Sequence, residues 1–127
     1  MHWLLKTEPS EYAFEDLVRE KTTLWEGVKN PLARRHLGSM KVGDDVVVYH
    51  TGSVRAAVGR ARIASVDVSD PKAPRIVLAA GAPLREPVGL DAIKTSPAFR
   101  GSPLLSMGRL SVVPLTAAQH RFLIAVR

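Results

Sequence analysis

Apolar residues in this chain occur in short runs, each ended within a few residues by proline, glycine or a cluster of polar residues. The run His2–Thr7 stops at Glu8-Pro9, because proline cannot donate to a strand ladder and restricts the residue before it. A valine-rich run over Asp45–His50 follows Gly43 and is typical of a buried strand. The chain is therefore limited to a fold built from many short elements.

Short helices are predicted between these strands. Apolar residues with helical spacing predict a helix over 14–20, Asn30-Pro31 is a good start for a helix that ends near Leu37, and Thr116–Gln119 matches a capping box. A single turn or two is expected over 90–94. Further strands are expected at 22–27, 56–68, 75–80 and 110–115. Strands and helices do not alternate regularly, so the pattern favours an α+β fold, a small mixed β-barrel with short helices packed around it.

The long strand 56–68 has its own expected details. Gly59 is expected to allow a bulge. Pro83 and Pro87 limit the segment after residue 80 to an edge strand or an irregular crossing. On the strand 56–68, the residues expected to point inward are Val58, Ile63, Val66 and Val68.

Size and composition exclude several classes of protein. The 127 residues fit one domain, 1–127, with a worthwhile core. No stretch approaches the roughly 18 apolar residues of a membrane helix, so no membrane partner is expected. There is no cysteine, which removes disulfides, thiolate catalysis and cysteine-bound zinc and is compatible with a cytoplasmic location. No histidine pair has metal-ligand spacing, so neither a metal nor a cofactor is expected.

The net charge of +6 is the feature of the composition that points to a binding partner. A basic face of the folded domain would attract nucleic acid by counterion release. A solvated, soluble surface explains the same charge equally well.

Unusual side chains stand at the predicted strand ends. Trp25 can offer a flat face for stacking or serve as a core residue, and Lys6 can bind a carbonyl or phosphate or be neutralised by Glu8. The Asn30 amide can cap the start of a helix, or it can hydrogen-bond to the edge of a base. Rings, a cation and an amide at strand ends suit a pocket for a planar polar ligand.

Three further positions leave two interpretations each. Tyr49 and His50 end one strand, so that one points inward and the other outward, and a lone histidine is more often structural than catalytic. The Ser111 hydroxyl needs either a ligand atom or a backbone carbonyl as its partner.

These residues lie in an ordered set of motifs that resembles the EVE domain, a family of the PUA-like superfamily related to YTH and ASCH domains. The resemblance covers nearly the whole chain. Its carriers are Trp3-Leu4-Leu5-Lys6-Thr7-Glu8-Pro9, Tyr12, Asp16-Leu17, Trp25-Glu26-Gly27-Val28-Lys29-Asn30, Ala33-Arg34, Met40-Lys41-Val42-Gly43-Asp44, Tyr49-His50, Gly108-Arg109-Leu110-Ser111-Val112 and Pro114.

The resemblance implies a twisted barrel and a pocket that reads one modified or flipped-out base in DNA or RNA. The family pattern supplies no established catalytic residues. The base-binding residues so implied are Lys6, Thr7, Glu8, Trp25, Gly27, Val28, Asn30, Tyr49, His50, Leu110 and Ser111. Arginines at Arg34, Arg60, Arg62 and Arg109 are candidates to face phosphate, although each also suits a solvated surface.

Two departures from the family pattern are visible. The region 67–80 is short and lacks aromatic residues, which predicts a trimmed rim and a changed nucleic-acid footprint. Ala13 stands where relatives commonly have a serine cap, which predicts a loss of helix stability on the order of 1 kcal/mol.

The expected function is thus a non-catalytic module that reads a modified base, methylated or hydroxymethylated, in DNA or RNA. A protein-interaction adaptor and an enzyme acting on modified nucleotides are the alternatives. No G-x-S-x-G, P-loop or dinucleotide motif supports the enzyme. The oligomeric state stays open.

Overall fold

The centre of the fold is a parallel pair of strands, β1 (His2–Thr7) and β3 (Asp45–His50). The computed structural model describes residues 1–125. The other strands are β2 (Thr22–Trp25), β4 (Ala56–Asp67), β5 (Arg75–Gly89) and β6 (Val112–Leu115). The helices are α1 (Phe14–Glu20), α2 (Pro31–Gly38), α3 (Leu90–Thr95), α4 (Pro103–Ser106) and α5 (Ala117–Ile124), with a 3-10 turn at Pro97–Phe99.

The six strands form one mixed sheet in the order β2-β5-β4-β3-β1-β6, and every pairing except β1 with β3 is antiparallel. The expected α+β class is confirmed. The expected small mixed fold with short helices around it is confirmed as well, although the sheet is not closed into a strict barrel, since β2 and β6 form its two ends and do not pair with each other within residues 1–125.

Both faces of the sheet are covered, which explains the valine run of β3. Trp3 lies on one face, where its ring meets His36 of α2. His2 lies on the other face, where its ring stacks on His120 of α5. Leu4 and Leu5, which point to opposite faces, are both fully buried. No helix within residues 1–125 has the length and apolar character needed to cross a bilayer.

Asp44 ties the turn before β3 to β1. Its Oδ2 accepts hydrogen bonds from the Trp3 indole Nε1 (3.0 Å) and the Lys41 amide (2.9 Å). Burial opposes ionisation of this carboxyl, but the hydrogen bonds from Trp3, Lys41 and the N-terminal amine of Met1, together with the charge of that amine, outweigh burial and lower its pKa. The bonds therefore favour the charged form and fix the start of β3 beside β1.

Most predicted elements are confirmed, with instructive differences on β4. β1, α1 and β3 have the expected bounds, and the capping box of α5 is present. Val68 was expected to point inward, but it lies beyond the end of β4 and is exposed. Val58 and Val66 are only partly buried.

The buried residues of β4 alternate along most of the strand, and Val58 falls between two of them. The buried residues of β4 are Ala56, Ala57, Gly59, Ala61 and Ile63. The pairing of β4 with β5 shifts its register three times along the strand. The expected edge character of Pro83 and Pro87 is confirmed, because β2 pairs with β5 only along Ile76–Ala79. The last strand begins at Val112, two residues later than expected.

Gly59 of β4 lies under the ring of Phe14, the first residue of α1. A Cβ at Gly59 would lie 2.3–2.5 Å from three ring atoms of Phe14. The ring is buried and cannot move away freely. Gly59 thus lets α1 approach the sheet closely.

We expect Gly59→Ala to lower the free energy of unfolding by about 1–3 kcal/mol, because the added methyl group overpacks the Phe14 ring. Urea denaturation measures this loss. Gly108→Ala is the control, since a Cβ there meets nothing within 4 Å, and its expected change is within about 0.5 kcal/mol. Adding Phe14→Leu should relieve part of the Gly59→Ala loss, and purely additive losses would contradict the contact.

Candidate nucleic-acid interface

The ends of β1 and β2 meet in a cavity of about 300 Å³, here named the Trp25–Tyr12 cavity. Thr7 ends β1 and Trp25 ends β2, and Tyr12 comes from the turn between β1 and α1. Residues from two strand ends therefore lie around one cavity. The lining residues are Thr7, Tyr12, Glu20, Thr23, Leu24, Trp25 and Glu26.

Two rings form perpendicular walls of this cavity. The centroids of Tyr12 and Trp25 are 6.1 Å apart, with an interplanar angle of 85°. Trp25 is partly buried and its indole N–H makes no hydrogen bond within residues 1–125. A planar ligand stacked on one ring would therefore present its edge to the other.

Carboxylates supply the polar groups of the same cavity. The Tyr12 hydroxyl donates to Glu20, and Glu26 follows Trp25 directly. Burial, together with the Glu20 carboxylate, raises the pKa of Tyr12, so the hydroxyl stays protonated. No lysine or arginine lines this cavity among the described residues. Its chemistry suits a flat ligand that carries N–H donors.

A second cavity, of about 320 Å³, lies beside Trp25 and is here named the Trp25–Arg34 cavity. Gly27 has φ +81°, a left-handed conformation that suits glycine. The turn brings the Val28 carbonyl to Arg34, whose Nε donates to it at 2.8 Å. The lining residues are Leu24, Trp25, Glu26, Gly27, Val28, Arg34, Leu37, Asp70, Ala73, Pro74 and Arg75.

The shortened segment 67–80 borders this second cavity. Asp70, Ala73, Pro74 and Arg75 contribute to its wall, and Trp25 pairs with Ile76 at the start of β5. The structure thus places the departure from the family pattern beside Trp25. Arg34 and Arg75 are both exposed there and can meet an anion.

Asn30 serves as the cap of α2. Its Oδ1 accepts from the Ala33 amide at 3.0 Å, and Pro31 occupies the first helical position. The Nδ2 group makes no hydrogen bond within residues 1–125, and the residue is exposed. Asn30 can therefore fill both expected roles only if its Oδ1 caps α2 and its Nδ2 donates to a ligand.

Lys6 opens into a third cavity, of about 330 Å³, here named the Lys6 cavity. Its Nζ donates to the Gly108 carbonyl at 2.9 Å, and burial lowers its pKa. Lys6 and Glu8 form no ion pair. Arg55 and Lys94 line the same cavity, and no carboxylate does so among the described residues, so it suits an anion.

Tyr49 points into the Lys6 cavity, opposite Lys6 in the strand register. Burial raises the pKa of its hydroxyl. Since successive residues of a strand point to opposite faces, Lys6 and Thr7 serve different cavities. The predicted strand-end residues are therefore divided between the two faces of the sheet.

His50 and Glu8 support the fold. His50 is buried, and its Nε2 accepts from the Phe14 amide at 3.0 Å. Asp16 accepts from the Ala13 amide at 2.8 Å. These two acceptors serve the start of α1 in place of the missing serine cap. Glu8 accepts from the Ser10 hydroxyl, and its carboxylate lies over Gly52, where a Cβ would come within 2.9 Å of it.

The remaining candidates lie outside the three cavities. Leu110 is buried, and Ser111 is joined to β1 by its carbonyl, which accepts from the Lys6 amide at 2.9 Å. Arg109 is exposed beside Gly108. Arg60 and Arg62 share one face as expected, but Arg62 pairs with Asp45 at the opposite end of β3 from His50.

Sequence reasoning missed several lining residues. Glu20, Thr23, Arg75 and Lys94 carry no local motif, because they reach the cavities from separate elements. Tyr12 did carry a signal, since it is part of the family pattern. Its partnership with Trp25 needed the three-dimensional structure.

We expect His50→Ala to lower the free energy of unfolding by about 1–3 kcal/mol, because it leaves the buried Phe14 amide without an acceptor. Chemical denaturation measures the loss. His50→Gln should recover part of it, since a glutamine oxygen can reach the position of Nε2. Equal stability of His50→Ala and the wild type would contradict the capping role.

Comparisons with known proteins agree with this architecture. Thymocyte nuclear protein 1 of Gallus gallus is 41% identical over 61 residues, which cover 39% of this chain. That match spans 25% of the chicken protein's length. A solved protein from Rhodopseudomonas palustris has a TM-score of 0.87 and 31% identity, covering 97% of this chain and 90% of its own.

A second similar structure contains DNA. Human THYN1 in complex with DNA containing 5-methylcytosine has a TM-score of 0.80 and 26% identity, covering 98% of this chain and 95% of that one. The EVE domain model matches residues 1–126. This chain therefore belongs to the EVE domain family.

Proposed function

We propose that this domain binds nucleic acid without catalysis and reads one modified base, a methylated cytosine foremost, in the Trp25–Tyr12 cavity. The observation that carries the proposal is the pair of perpendicular rings beside the carboxylates of Glu20 and Glu26. The complex of human THYN1 with DNA containing 5-methylcytosine supports the choice of ligand.

The chemistry of the cavity suits an amino-bearing base. Cytosine presents its N4 amino group as a donor, and glutamate is the side chain that accepts from it. The base stacks on Trp25, and such stacking contributes about 1–3 kcal/mol. In a duplex the base must first leave the stack, which costs a few kcal/mol.

The neighbouring cations suit the phosphates. Arg34 and Arg75 lie on the other side of Trp25, so the strand that carries the base can pass over them. Lys6, Arg55 and Lys94 form a separate cationic cavity for a more distant phosphate. Contacts of this kind set affinity and its salt dependence rather than base choice.

The binding experiment below distinguishes DNA from RNA and identifies which base modification is preferred. A cytoplasmic location stays a prediction. Binding that needs a protein partner and survives nuclease treatment would favour the adaptor. Release of product from a modified nucleotide would favour the enzyme.

We expect Trp25→Ala to abolish the preference for a modified base. Matched single- and double-stranded DNA and RNA oligonucleotides, with cytosine, 5-methylcytosine or 5-hydroxymethylcytosine, are compared at fixed salt by fluorescence anisotropy. The wild type should prefer one modified oligonucleotide by about tenfold or more, equivalent to about 1.4 kcal/mol.

Two variants control this comparison. Trp25→Phe should keep part of the preference, because it keeps a ring. Val42→Ala removes an exposed apolar side chain in the turn before β3 and should bind like the wild type. Binding by a folded Trp25→Ala protein with the full wild-type preference would refute the proposed cavity.

We expect Arg75→Gln and Arg34→Gln each to reduce the slope of log K against log salt concentration by about one, because each removes one phosphate contact. Arg62→Gln makes the same change of charge at the other end of the sheet and should leave the slope unchanged. Titrations at several salt concentrations measure it. Equal slopes for Arg75→Gln and Arg62→Gln would contradict a phosphate contact that is specific to the Trp25 end of the sheet.

A further inference from the structure

Three potential metal ligands from three separate elements meet at the end of the sheet away from the Trp25–Tyr12 cavity. His2 begins β1, Asp45 begins β3, and His120 lies on α5. One ligand atom of each lies within 4.8 Å of the other two. The register pairs His2 with Asp45 at this end and Thr7 with His50 at the other, about 16 Å away along β1.

Two imidazole nitrogens of this cluster lack partners. His2 Nδ1 and His120 Nε2 are shielded from solvent and make no hydrogen bond within residues 1–125. His2 Nδ1 is 3.6 Å from Asp45 Oδ2, just beyond hydrogen-bonding distance. His120 as a whole is only 6% exposed. Buried polar atoms in folded proteins nearly always have a partner, so these two nitrogens point to a missing ligand.

The rings are already held together. The centroids of His2 and His120 are 4.2 Å apart, with an interplanar angle of 22°. Burial lowers the pKa of His120, and the nearby His2 and Arg60 lower it further, while the Asp45 carboxylate acts in the opposite direction. Neutral imidazole is the form that binds metal.

We propose that His2, Asp45 and His120 form a site for a divalent transition-metal ion of the Zn²⁺ type. Two imidazoles and a carboxylate suit Zn²⁺, with water completing the coordination. Ligand distances of about 2.0–2.2 Å require the side chains to turn inward from their present separation. The positive charge of Arg60 opposes a bound cation, so the affinity is modest. Bound metal would join β1, β3 and α5.

No local spacing motif marks this cluster, because its three ligands come from separate elements. The sequence therefore predicted no metal site. The proposal is independent of base reading, since none of the three residues lines the cavities beside Trp25.

The test is calorimetric titration of the protein, freed of any affinity tag, with Zn²⁺, together with the visible absorption of bound Co²⁺. We expect one Zn²⁺ per chain and a rise in Tm on binding. His2→Gln, His120→Gln and Asp45→Asn should each weaken binding by at least about tenfold, since loss of even an outer partner can cost that much. His36→Gln removes a histidine outside the cluster and should bind like the wild type.

His2→Gln keeps the test decisive if the buried His120 variant does not fold, because His2 is partly exposed. A folded wild-type protein with no saturable binding of Zn²⁺ or Co²⁺ would overturn the proposal. Equal affinity in the wild type and a folded His2→Gln protein would overturn it too.

Discussion

The parallel pairing of β1 with β3 is the constraint on which the rest of this structure depends. Its register places Lys6 opposite Tyr49 and Thr7 opposite His50. The bonds from Trp3 and Lys41 to Asp44 fix the start of that pairing. A slip of one residue would turn every side chain of β1 to the opposite face, so the cavities at one end and the histidine cluster at the other would both be lost.

Helix α1 connects this pairing to the cavity. His50, at the end of β3, accepts from the Phe14 amide, and the Phe14 ring packs on Gly59 of β4. These contacts set the turn that carries Tyr12, and Tyr12 in turn meets Trp25. His50 therefore has a structural role, since it helps to position the Tyr12 ring beside Trp25.

Sequence predicted local structure well and spatial grouping less well. Proline, capping residues and valine runs act over a few residues, so β1, α1 and β3 were placed correctly. The burial of Val58, Val66 and Val68 was not, since Val58 falls between the buried residues Ala57 and Gly59 and Val68 lies beyond the end of β4. Trp25 was identified as a candidate, but the roles of Glu20 and Arg75 depend on packing between distant elements. The division of Lys6 and Thr7 between two cavities follows from the faces of β1 and needed the register.

The most direct test of base reading follows the two indole N–H signals by NMR during titration with DNA. The chain has two tryptophans, and the Trp3 indole is buried and bonded to Asp44. The proposal predicts that 5-methylcytosine DNA shifts the Trp25 signal strongly, that cytosine DNA does so less at equal saturation, and that Trp3 stays unchanged. Saturated binding that leaves the Trp25 signal in place would contradict it.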